Sequence, residues 1–311
     1  MKRSNVVIWL SSLIVLLALV AAGTGLLYQD KGSPFSFATI RGETVLIYGQ
    51  SWYHYDTPIT AVGFKAADAI TLVLAIPLLI VSTILYSRGL LRGGLLLTGV
   101  LAYFLYNYGS MAIGAAYNNL FLVYIAIFSA SFFGLVLTLM SFDIAELPSH
   151  FSSHLPRRGI SIFLIVSGII LLFVWLGLSV LPAFLQGKVP AEASYYTTFT
   201  TGVIDMALVA PALIVVGLLL LRRAPLGYLL TSTMLIFTAV LGINLTAGGI
   251  AQLLAGVVTM GQFIGFTLGF TVLTVIALAL TIVLFHNLSE SPVSRTPLGA
   301  SFEINVSFRS H

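Results

Sequence analysis

Residues 93–142 read GGLLLTGVLAYFLYNYGSMAIGAAYNNLFLVYIAIFSASFFGLVLTLMSF, 50 consecutive positions between Arg92 and Asp143 without an Asp, Glu, Lys or Arg. A helix needs about 20 apolar residues to cross the hydrocarbon core of a bilayer. The run is therefore too long for one crossing and suits two, divided at the turn signal Tyr117-Asn118-Asn119. The other charges parse the rest of the chain in the same way. Ser4 to Gln29 is one uncharged span of 26 residues, and Asp68 and Arg88 bracket another of 19. Arg158 and Lys188 enclose 29 residues that end a span at Pro182, and the next runs from about Thr198 to Leu221 and contains Asp205. The 66 residues between Arg223 and Glu290 make a final pair, with the break expected at Gly248, Gly249 and Gln252. The expectation is an all-α integral membrane protein of eight transmembrane helices.

Composition agrees. Of 311 residues, 59% are hydrophobic and 8% charged, against roughly 45–50% and about 25% in soluble domains; mean hydropathy is +1.06. These values exclude a soluble globular enzyme and a disordered tail protein. No run of Lys or Arg exceeds two residues, so there is no electrostatic footprint for nucleic acid. With no cysteine, thiolate chemistry and Cys-ligated metals are excluded. No Walker motif, GxGxxG or HExxH occurs, which disfavours an ATPase or a membrane hydrolase. No cofactor is expected.

Eight spans put both termini on one side, and Lys and Arg choose it. With a cytoplasmic N-terminus, Lys2, Arg3, Arg88, Arg92, Arg157, Arg158, Arg222, Arg223, Arg295 and Arg309 are inside, while Lys31, Arg41, Lys65 and Lys188 are outside. Ten against four argues for a cell-membrane protein with both ends cytoplasmic. Met1-Lys2-Arg3, the apolar run and Val20-Ala21-Ala22 also resemble a signal peptide, but the run is long for one.

The loops suggest two four-helix halves, residues 1–142 and 159–286, joined by a cytoplasmic linker, 143–158, and followed by a flexible tail, 287–311. Asp68, Pro77, Arg88 and Gly94-Leu95-Leu96-Leu97-Thr98 in the first half parallel Asp205, Pro211, Arg222-Arg223 and Gly227-Tyr228-Leu229-Leu230-Thr231 in the second. Four spans per half would make these parallel repeats about an axis along the membrane normal; chance likeness among leucine-rich helices is the alternative. The stretches Asp68-Ala69-Ile70-Thr71-Leu72, Tyr103-Phe104-Leu105-Tyr106-Asn107-Tyr108, Asn119-Leu120-Phe121-Leu122-Val123-Tyr124 and Arg223-Ala224-Pro225-Leu226-Gly227-Tyr228-Leu229-Leu230 resemble a group of prokaryotic multi-pass membrane proteins with no assigned activity. That resemblance implies the membrane fold and no chemistry.

Ionisable residues in a bilayer are costly and mark candidate function. Asp68 is expected in the first turn of its helix and Asp205 about two turns into its own, with no intramembrane cation beside either. Each is then protonated, hydrogen-bonded to Tyr, Thr or Asn, or bound to a cation; capping of a helix N-terminus is the structural alternative. Pro77 and Pro211 interrupt the same helices. A polar stripe of Gly99, Tyr103, Tyr106, Asn107, Ser110, Gly114 and Tyr117 on the third helix should face a cavity or another helix, and Tyr124 could join it. Thr231, Thr233, Thr238 and Asn244 form a similar face on the seventh.

Gly261, Gly265 and Gly269 form a GxxxGxxxG series for close helix packing, within the chain or against a second subunit. In the loop between Asp30 and Lys65, Thr44–Tyr48 and Trp52-Tyr53-His54-Tyr55 flank a turn at Gly49-Gln50-Ser51 and suggest a small external hairpin with interfacial aromatics. His54 with Asp56, and His150 with His154 and Glu146, are too few ligands for a metal; the latter belong to a solvated linker.

The sequence thus favours a transporter-like protein for a small solute or ion, coupled to a proton or cation through Asp68 and Asp205 beside Tyr103, Tyr106, Asn107 and Tyr124. Its partners would be the lipid bilayer and a second copy or other membrane protein. The alternatives are a non-catalytic membrane scaffold and an intramembrane enzyme acting on a lipid-type substrate.

Overall fold

The structure, a computed structural model, describes residues 2–190, 193 and 199–291. Among the described residues, eight helices are long and apolar enough to span a membrane: α1 (Asn5–Leu27), α2 (Pro58–Ser87), α3 (Leu91–Gly114), α4 (Phe121–Met140), α5 (Arg157–Leu185), α6 (Thr200–Leu221), α7 (Pro225–Leu254) and α8 (Met260–His286). An antiparallel ribbon, β1 (Phe35–Ala38) and β2 (Thr44–Ile47), stands between α1 and α2 with Phe35 opposite Ile47. Successive helices run in opposite directions. At one end Arg3 donates to Ser87 O, Lys2 N–H to Ser141 O, and Leu91 N–H to Glu290 Oε2. At the ribbon end Ala116 N–H donates to Asp56 Oδ1, and Gln252 to Ile59 O.

Helices α3 and α7 are the centre, with 67% and 72% of their spanning stretches buried against 17% for α8. They meet through polar contacts. Thr233 Oγ1 donates to Thr98 Oγ1 at 2.9 Å, and Asn244 Nδ2 to Asn107 Oδ1 at 3.4 Å. Gly99 lets the backbones close, because a Cβ there would overlap Ile236. Polar pairs and small residues are what join helices in lipid, where apolar burial supplies no drive.

Several boundaries differ from those expected. Helix α2 begins at Pro58, ten residues before Asp68, because Thr57-Pro58 is a strong start: the Thr57 hydroxyl accepts from Thr60 N–H and proline fills N1. The break after α7 falls at residues 255–259, where Gly256 takes φ +69° and Val257 N–H closes on Gln252 O. Gly248 and Gly249 lie inside α7, and a Cβ on Gly249 would overlap Thr267 of α8. Strand β2 pairs upstream with β1, not with residues 52–55; Gly49 (φ +72°) and Ser51 (φ +58°) instead fold the chain into a compact turn against the bundle. Asp30 accepts from the N–H groups of Gly32 and Ser51, which hold its carboxyl below the usual range and tie this turn to the end of α1.

The α4–α5 linker is not solvated throughout. Leu147, Phe151 and Leu155 are buried, and Phe151 pairs with Leu288 of the segment after α8. That segment is held as far as Glu290, whose carboxylate caps the start of α3 at Leu91 and Arg92. The rest of the tail, from residue 292, lies outside the described residues.

The α2–α3 and α6–α7 hairpins share features spaced by 134 positions. Wide π-helical turns begin at Thr71 and Asp205, prolines stand at 77 and 211, and left-handed residues at Gly89 and Arg223. Gly93 packs on Leu85 as Gly227 packs on Leu219. By that spacing Asp205 lies opposite Thr71, and Asp68 opposite Gly202.

The glycines at close crossings differ from those expected. A Cβ on Gly168 would lie 2.7 Å from Ala210 O, and one on Gly217 2.8 Å from Ser161 O, across the α5–α6 crossing. Gly261, Gly265 and Gly269 are exposed, and a Cβ on Gly265 or Gly269 would meet nothing within 4 Å. They pack no helix of the described chain. A Cβ on Gly93 would sit 2.5 Å from the backbone carbon of Leu85. Thermal unfolding in detergent should therefore show Gly93→Ala destabilised by about 1–3 kcal/mol and Gly265→Ala unchanged. Equal midpoints for the two would refute this packing.

Candidate functional site

Two carboxylates are buried within spanning helices beside α3, Asp68 and Asp205; a third, Asp56, is buried in the turn before α2 and accepts from Ala116 N–H. Asp205 opens a widened turn of its helix and Asp68 lies one turn before the widened turn of its own, and proline is the cause of the widening. Pro77 and Pro211 cannot donate to Val73 and Ala207 four residues back, and their rings crowd those carbonyls. The turns Thr71–Ala75 and Asp205–Val209 relax into π geometry, with Ile76 N–H reaching back to Thr71 O and Ala210 N–H to Asp205 O. Such widenings recur at functional sites.

Asp68 is 1% exposed. It is the eleventh residue of α2, three turns in, and Thr57 holds the cap position; the expectation of a first-turn residue is corrected. Tyr53, fully buried in the turn after β2, donates from Oη to Asp68 Oδ2 at 2.5 Å. Burial, then the Asp68 charge, pushes the Tyr53 phenol well above its usual range, so it remains a hydrogen-bond donor. The close wall is Gly25 of α1, where a Cβ would overlap Asp68 Oδ2 and lie 2.9 Å from Tyr53 Oη. Lys65, one turn earlier on α2, donates instead to Tyr48 Oη at 3.1 Å. One turn later, Thr71 and Tyr103 share a hydroxyl contact of 3.3 Å. Tyr108 and Tyr124, with rings 6.0 Å apart, lie within electrostatic reach of Asp68. Both hydroxyls are buried without a well-aligned hydrogen bond among the described residues, Tyr108 nearest Thr71 and Tyr124 nearest Tyr53 and Asn118.

Asp205 is 6% exposed and the sixth residue of α6. Tyr106 Oη donates to Oδ1 at 2.8 Å, and Trp175 Nε1 to Oδ2 at 2.7 Å. Trp175 lies in the wide turn Phe173–Val180 of α5, edge-on to Phe199 and to Phe266, which belongs to the wide turn Phe263–Leu268 of α8. Three of the four π-helical turns among the described residues therefore gather at this carboxylate.

The polar stripe of α3 divides between these surroundings. Tyr103 faces Thr71, Tyr106 faces Asp205, and Asn107 turns to Asn244 in the α7 seam. Tyr117 lies past the helix end and is exposed. The two carboxylates have no hydrogen-bond donor in common. Sequence reasoning missed Tyr53, Trp175 and Gly25. Tyr53 reads in sequence as one of the interfacial aromatics of residues 52–55, and its burial against a polar partner has no local sign; Trp175 stands alone in an apolar run with no signal of its own. His54 packs against Phe35 and Tyr55, and Asp56 caps Ala116 N–H.

Chemically, each carboxyl is paired with a tyrosine, which can donate to a carboxylate or accept from a carboxylic acid. Trp175 can only donate, so Asp205 Oδ2 stays an acceptor while Oδ1 is free to carry a proton. Tyr53→Phe and Trp175→Phe each remove a donor from a buried carboxyl and should cost about 1–3 kcal/mol of stability, read by unfolding in detergent. Tyr117→Phe should leave it unchanged.

Comparison with protein-family models, with curated proteins and with solved structures returns no match.

Proposed function

We propose that this chain is a transporter-like membrane protein for a small solute or ion, coupled to a proton or cation at Asp68 and Asp205, seen with both carboxylates occluded. The observation that carries this reading is that each buried carboxyl touches a tyrosine and no cation, next to a proline-widened turn of its helix. A purely structural acid would gain from an Arg or Lys partner; a site that loads and unloads a proton or cation must leave that place vacant. The buried hydroxyls of Tyr108 and Tyr124, which make no well-aligned hydrogen bond among the described residues, add polar oxygens for a bound cation or water beside Asp68.

We further infer that the two halves arose by duplication, on the strength of the constant 134-residue spacing. Each half then retains one carboxylate, a turn apart in register. Location in the cell membrane with both termini cytoplasmic rests on the ten-to-four count of Lys and Arg.

A scaffold is the second reading, favoured by the exposed glycine series of α8. The test is pH-difference infrared spectroscopy of the protein in nanodiscs with Asp68→Asn and Asp205→Asn, together with proton uptake by proteoliposomes after a pH jump. Transport coupling predicts a carboxylic C=O band that changes with pH and disappears in one Asn variant, with uptake lost in that variant. Bands silent to pH and no uptake would reject coupling and favour the scaffold.

A further inference from the structure

At the end of the bundle away from the ribbon, the start of α5 faces the α6–α7 turn across a pocket of about 410 Å³. Arg157, Arg158, Gly159, Leu220, Leu221 and Arg223 line it, and no acidic residue does. Arg157 is fixed by donating to Tyr228 Oη at 2.9 Å. Arg158 and Arg223 are exposed and form no ion pair among the described residues, where Arg92–Glu290 is the pair found. Helix α5 also starts without a side-chain cap and without an acid in its first turn, and a Cβ on Gly159 would meet nothing within 4 Å.

The matching groove of the first half is filled by the chain itself. There Arg3 Nη1 donates to Ser87 O at 2.9 Å and Ser4 N–H to Tyr86 Oη at 3.0 Å, against the α2–α3 turn. No described segment enters the second groove in this way.

We propose that this pocket binds a phosphate group at the membrane surface, the chemistry shared by an anionic phospholipid headgroup and free inorganic phosphate. Guanidinium forks match phosphate oxygens in pairs. Free N–H groups at a helix start add to the same attraction. Leu220 and Leu221 give the pocket an apolar side that suits the glycerol and first acyl carbons of a lipid. The site lies at the opposite end from the ribbon and does not depend on either carboxylate.

The experiment uses the full chain in phosphatidylcholine nanodiscs with and without phosphatidylglycerol, reading lipid retained after detergent extraction by native mass spectrometry and the thermal midpoint alongside. Wild type should retain phosphatidylglycerol selectively. Arg158→Gln with Arg223→Gln should weaken retention by roughly 30-fold, from about 1 kcal/mol per basic residue. Arg3→Gln with Arg88→Gln removes the same charge outside the pocket and should change it little. Inorganic phosphate that raises the midpoint of wild type and not of Arg158→Gln/Arg223→Gln supports a free-phosphate site; a response to phosphatidylglycerol alone supports the lipid. Equal losses in the two double variants would mean diffuse surface charge and overturn the proposal, as would wild type retaining the two lipids equally with no phosphate response.

Discussion

The structure depends on one seam, the contact of α3 with α7. In lipid two apolar helices gain little by leaving the bilayer for each other, so hydrogen bonds and close backbone approach decide which pairs form. Thr98–Thr233, Asn107–Asn244 and the close approach at Gly99 supply both at the centre of the bundle. The remaining helices are arranged about this pair, apolar outward. The less buried α8 is joined to α7 by small residues, Gly242 against Thr274 and Gly249 against Thr267, and by the Thr246–Thr271 hydroxyl contact of 3.0 Å.

The seam also positions the chemistry. Tyr103 and Tyr106 leave α3 one turn apart and reach opposite neighbours, Thr71 on α2 and Asp205 on α6. The polar surroundings of Asp68 come from the turn before α2 and from α3 and α4, as Tyr53, Tyr103, Tyr108 and Tyr124, with Gly25 of α1 as the close wall. Those of Asp205 come from α3 and α5, with Tyr106 from one and Trp175 from the other. A shift of α3 against α5 would therefore alter the contacts of Asp205 directly, while the hydrogen bond of Asp68 ties α2 to the turn that precedes it. The three wide turns gathered around Asp205 fit that difference, since a π turn lacks the regular i→i+4 ladder and deforms more easily than the helix beside it.

Much of the fold was legible because charge is excluded from hydrocarbon: uncharged runs count the spans, and the count of eight is what the structure has. Where a helix starts or stops is less legible, because the bilayer sets a minimum length and no maximum. Thr57-Pro58 extends α2 by ten residues beyond the charge at Asp68, and Gly256 rather than Gly248 or Gly249 ends α7. A glycine reads alike in sequence whether it ends a helix, as Gly256 does, admits a neighbouring helix, as Gly99 does, or faces outward, as Gly265 does.

By itself the sequence determined the membrane class, the number of spans, the residues that could carry charge into the bundle, and the prolines that disturb their helices. Each of these follows from local chemistry: hydropathy, charge and a missing N–H. The tertiary structure decided what those residues meet. Tyr53 and Asp68 are 15 positions apart and Tyr106 and Asp205 are 99 apart. Asp68 and Asp205 look alike in sequence, yet one is enclosed by a loop and α1 while the other is held between α3 and α5. Helix order and rotation about each axis set those partners. They depend on many weak contacts at once, which no local pattern records.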